Sequence, residues 1–174
     1  MSVVAVQFSE HAGSAELQFA KGVVSYIMQQ YASNWTSPHR IEFSNTLTLD
    51  ILASVYDTAL ISKAIFETDF DYKARNLQDF ITVVDKRLRE WSSISYDHDN
   101  FLVFCATTSM SAVYMVRKGH EEAPEYAVLA VLCVLLSEKQ KRERSTREPS
   151  SELNWKCLDA FCKKIGEEKE ENEV

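Results

Sequence analysis

Leu77, Phe80, Ile81, Val84, Leu88 and Trp91 recur every three or four residues, with Gln78, Asp79, Lys86, Arg89 and Glu90 mostly on the other side. That spacing is the helical one, so residues 74–92 are predicted to form an amphipathic surface helix. The same period places Leu17, Ala20, Val24, Ile27 and Tyr31 on one face of a helix over 14–33. Ser14 is its N-cap, and the segment "SNWTSPHR" breaks it, with Pro38 forcing an extended residue before it. Residues 46–66 carry Leu47, Leu49, Ile51, Leu52, Val55, Tyr56, Ala59, Leu60, Ile61, Ile65 and Phe66, which leaves little polar face. The stretch is too long for an ordinary strand, so a buried or sandwiched helix is expected.

The stretch 100–118, "FLVFCATTSMSAVYMVRKG" with its flanks, fits one buried helix, capped by Asp99 or Asn100 and closed by Gly119. Two strands folded about Thr108–Ser109 are the alternative. The helix is preferred because no Gly, Asn or Asp supplies a hairpin turn there. Residues 124–143 open on Pro124, run apolar from Tyr126 to Leu136 and then turn strongly charged. A membrane-spanning helix needs about 20 apolar residues, so this run is read as a helix buried on most sides. Residues 151–165 form a last helix with Trp155, Leu158, Cys162 and Ile165 on one side, ended by Gly166.

These patterns predict an all-α single-domain bundle of about six helices, with 46–66 and 124–136 as the central ones. Residues 1–13 are assigned to an N-terminal arm, in which "VVAVQF" at 3–8 is strand-like. Residues 14–166 make the bundle, and 167–174 form a disordered acidic tail. Only four Gly and three Pro occur in the 174 residues, which suits long elements with few sharp turns. The net charge of −7 opposes wholesale coating of nucleic acid. Cys105, Cys133, Cys157 and Cys162 are read as free, largely buried thiols in a reducing compartment, cytosolic or nuclear.

Chemical signatures are sparse. There is no Gly-rich phosphate loop, no His-Glu-x-x-His, no Gly-x-Ser-x-Gly and no Cys-x-x-Cys. Asp97-His98-Asp99 could hold a divalent ion or shuttle a proton, but Asp before a helix is first of all an N-cap. Cys157 and Cys162 would sit about 140° apart around a helix, a poor pair for one tetrahedral metal. Glu121, Glu122 and Glu125 are read as charges favourable to a helix start. No catalytic residue, metal or cofactor is therefore assigned.

Two sets of residues are candidates for binding. Trp35, Phe70 and Tyr72 fall in expected connections, where aromatics either pack back on the core or anchor an interface. Lys139, Lys141, Arg142, Arg144 and Arg147 form a basic run interrupted by Glu138, Glu143 and Glu148. The leading expectation is a non-enzymatic, intracellular helical domain that binds a protein: an adaptor, a complex subunit or a viral host-interaction factor. It would take a partner helix in a groove or self-associate. The alternative is an RNA- or anionic-lipid-binding module using the basic run. An enzyme whose site is assembled from scattered residues is the third reading.

Overall fold

In a computed structural model, which describes residues 13–32, 35–36, 46–144 and 153–173 (backbone alone over 64–73), the chain forms six α-helices and no strand among those residues. They are α1 (Ala15–Tyr31), α2 (Leu49–Lys73), α3 (Leu77–Ser92), α4 (His98–Arg117), α5 (Ala123–Arg144) and α6 (Trp155–Asn172). The arm at 1–12 and the linker at 145–152 lie outside the described residues.

Local chemistry sets the boundaries. Ser14 Oγ accepts the backbone N–H of Leu17 at 3.2 Å, and Asn76 Oδ1 accepts that of Asp79 at 2.9 Å. Each satisfies a donor that the first helical turn leaves without an intrahelical partner. Asp97, rather than Asp99 or Asn100, caps α4 by accepting the N–H of Asn100 at 3.1 Å. At the other end of α4, Gly119 has φ +95°. Its N–H reaches the Val116 carbonyl at 2.9 Å and the His120 N–H reaches that of Met115 at 2.9 Å, the paired bonds of a Schellman motif.

The whole 98–117 stretch is one helix, so the two-strand alternative is set aside. It is also the hub of the bundle, packed against α1, α2, α3 and α5. The pattern-based expectation gave that place to α2 and α5. α5 packs against α1, α3 and α4, and α2 against α1, α3, α4 and α6, although α2 also exposes Leu49, Leu60 and Ile61. The reason lies in the hydroxyls of α4. Ser109 Oγ donates to the Cys105 carbonyl at 2.7 Å and Ser111 Oγ to that of Thr107 at 2.8 Å. Back-bonding to the preceding turn lets polar-looking residues sit fully buried.

The core is filled by Phe19, Phe80, Phe101, Ile27, Met110 and Leu132 among others, all essentially without exposure. Each such side chain contributes about 1.5–3 kcal/mol by leaving water. α6 lies along the first half of α2. Thr48 Oγ1 donates to Asp159 Oδ1 at 2.6 Å near its start, and Lys169 Nζ reaches Asp57 Oδ2 at 2.7 Å near its end. The sequence reading stopped this helix at Gly166 and left 167–174 disordered; the helix instead continues to Asn172. Glu and Lys are good helix formers, and the Lys169–Asp57 pair ties the extension back to the bundle.

Candidate docking cleft between two helices

α3 and α4 are joined by residues 93–97 and run antiparallel. Far from the turn, Arg87 Nη1 donates to Ser111 Oγ at 2.9 Å. Midway, the rings of Trp91 and Phe104 meet at 5.6 Å between centroids and 61°. At the turn, the Tyr96 hydroxyl and His98 Nδ1 are 2.8 Å apart. Between the two helices lies an open cleft of about 350 Å³. Trp91 and Phe104 form its floor, at 4% and 6% exposure. Ile94 and Val103 stand on its rim with 41% and 45% of their surface in water. Arg87 and Thr107 close one end; Asn100 lies toward the turn, and Glu90 occupies the middle of the α3 side.

The floor is fixed from beneath. Trp91 Nε1 donates to Glu138 Oε1 at 3.0 Å, and Lys141 Nζ reaches the same oxygen at 3.0 Å. Glu138 is only 3% exposed. A buried carboxylate needs such donors, and here they come from α3 and from the next turn of α5. Burial also pushes the Arg87 guanidinium down to about 10, with nearby Glu90 working in the opposite direction. At the turn, burial pushes the Tyr96 phenol up and the His98 imidazole down, the latter against Asp97 and Asp99.

The residues singled out from sequence fall elsewhere. Trp35 is half-buried and packed onto the core. The side chains of Phe70 and Tyr72, and all of Arg147, lie outside the described residues. Within the basic run, Lys141 is held by Glu138, and Arg142 Nη1 donates to the Leu153 carbonyl at 3.0 Å. Lys139 is half-buried and Arg144 exposed. Two of the run's cations therefore already serve the fold. All four cysteines are free, but Cys133 and Cys157 are exposed rather than buried. Cys133 falls on the one outward stripe of α5, with Glu125, Leu129 and Gln140, which an almost wholly apolar run does not mark.

Sequence reasoning missed Ile94, Val103 and Glu138. A faint signal existed for Glu138: Val131, Leu135 and Glu138 keep the helical spacing, which carries the buried face of α5 past the end of its apolar run. None existed for Val103, because "FLVFC" is apolar all round. A second apolar surface lies on α2. Leu49 and Leu60 are eleven residues apart, three turns of one face, and Ile61 beside them is 76% exposed.

Among the described residues, no group of three or more His, Cys, Asp or Glu side chains is placed to hold a metal, and no helix is long and apolar enough to cross a membrane. Compared with known proteins, the chain matches no family and no curated sequence.

Proposed function

We propose that the protein is a non-enzymatic helical interaction domain, an adaptor or complex subunit, that receives an amphipathic helix of a protein partner in the cleft between α3 and α4. One observation carries the reading. Two aliphatic side chains, Ile94 and Val103, stand in water on either side of a groove floored by buried aromatics. Exposed apolar rims around a desolvated aromatic floor are what a helix-in-groove contact uses, with the floor as anchor and the polar periphery as seal. A reducing setting, cytosolic or nuclear, belongs to the same proposal and agrees with four free thiols.

The test is a selection from a displayed library of helix-forming peptides with two apolar positions one turn apart. Peptides that bind the wild type should lose binding to Val103→Glu, which places a charge on the rim. Thermal unfolding of that variant should stay within about 0.5 kcal/mol of wild type, as for an exposed position. Peptides that bind both proteins equally contradict the reading. Self-association is the second reading, supported by Leu60 and Ile61 in water on α2. A dimer in light scattering that Ile61→Glu dissociates would favour it. The anionic-partner reading of the basic run gains no such support, since Lys141 and Arg142 are committed within the fold.

A further inference from the structure

The outward face of α2 is its own complement. Ile51, Leu52, Val55 and Ala59 turn into the bundle and are buried. Turned away from them are Leu49, Ala53, Tyr56 and Leu60, spaced by four, three and four residues. At 100° per residue these four fall within about 60° of one another. Leu49 is 69% and Leu60 45% exposed, Ala53 is exposed and Tyr56 half-buried. Spacings of four and three are those of a seam between two packed helices. Reversed about the midpoint between Ser54 and Val55, position 49 falls on 60 and position 53 on 56. An antiparallel copy of α2 therefore sets Leu49 against Leu60 and Ala53 against Tyr56, so that each large ring meets a small methyl group.

We infer that the protein forms a two-fold dimer in which the α2 seams of two copies pack antiparallel. This rests on self-association through α2 and is independent of the cleft. A parallel pairing would set Tyr56 against Tyr56 and Ala53 against Ala53, crowding beside a gap, whereas a well-packed contact alternates large and small. A seam of four residues covers less than the about 800 Å² per partner of a standard interface, and its edges supply more. Tyr56 meets the rings of Tyr26 and Tyr31 on α1, and Asp57 meets Lys169 on α6, so α1 borders the seam on one side and α6 on the other. A two-fold axis across antiparallel helices brings like edges together, α1 beside α1 and α6 beside α6. On the α6 edge, Asp50 of one copy comes within about one turn of Asp57 of the other. Lys169, bound to Asp57 and about half in water, answers the second carboxylate. Ile61, 76% exposed, adds apolar surface on that same edge.

The test uses the full chain. Light scattering across the micromolar range should show a monomer–dimer equilibrium. Leu60→Glu, at an exposed position that leaves the thermal midpoint in place, should weaken the dimer at least about tenfold. Val103→Glu, at the cleft, should dimerise like wild type. Register is read by oxidation in a background carrying Cys133→Ser and Cys157→Ser. A mixture of a Leu49→Cys chain with a Leu60→Cys chain should cross-link, and neither should cross-link alone, because only the mixed pair brings two thiols within disulfide reach. A chain that stays monomeric throughout, or a dimer indifferent to Leu60→Glu, overturns the inference. Cross-linking of Leu60→Cys with itself overturns the antiparallel register. None of these outcomes decides the cleft, which stands or falls on whether selected peptides depend on Val103.

Discussion

The indole of Trp91 is gripped on two levels, by aromatic contact with Phe101 and Phe104 and by the hydrogen bond to Glu138. Trp91→Ala is expected to cost about 3–5 kcal/mol in urea unfolding, as a buried aromatic leaves a cavity. Arg89→Ala, on the exposed side of the same helix, should cost under about 0.5 kcal/mol. Glu138→Ala should cost about 1–3 kcal/mol, because the Trp91 N–H loses its acceptor inside the protein. Lys141→Ala, at the half-exposed end of that contact, should cost about 1 kcal/mol or less. Thiol labelling offers an independent check: Cys133 and Cys157 should react in the native protein, and Cys105 and Cys162 only on unfolding. At this scale the sequence was readable where side chains alternate in character. The stripe containing Phe80, Val84 and Trp91 is buried as its spacing predicts. Inside uniformly apolar runs, a single outward residue such as Val103 or Cys133 leaves no mark.

Elements were legible because helices announce both period and ends. Ser14, Pro124 and Gly119 all act where the pattern placed them, at helix boundaries. What composition could not rank was centrality. α4 carries Thr108, Ser109 and Ser111, yet it is the hub, since its serine hydroxyls bond their own helix. α5 is the clearest case of one continuous element with two environments. Leu132 is buried, and Leu132→Ala should cost about 2–5 kcal/mol. Truncating residues 167–174 removes the end of α6 and its Lys169–Asp57 pair, both partners about half in water. Such pairs contribute little, so the loss should stay near or below about 1 kcal/mol. His98 gives the α3–α4 turn a pH dependence with a defined sign. Burial holds its folded-state pKa below the unfolded value, so its contribution is present above about pH 6.5 and is lost as pH falls. His98→Gln should flatten the stability profile between pH 7 and pH 5.

At the scale of the whole molecule, the described residues present two apolar surfaces, the α3–α4 cleft and the exposed face of α2. The cleft has a buried aromatic floor and charged groups of both signs along it, whereas Leu49, Leu60 and Ile61 stand out from a single helix. A preformed floor lowers the ordering cost of binding, which is why the partner is proposed to dock in the cleft. Neither surface was visible in the sequence, because one arises only when two neighbouring helices are set side by side and the other only when a helix face is left uncovered. Methyl-resolved NMR of the protein titrated with a selected helical peptide measures the assignment directly. The account predicts that the Ile94 and Val103 methyl resonances and the Trp91 indole N–H shift together with one saturating curve, while those of Leu60 and Ile61 stay in place. Shifts that gather on Leu60 and Ile61 and leave Ile94 and Val103 unmoved would contradict it.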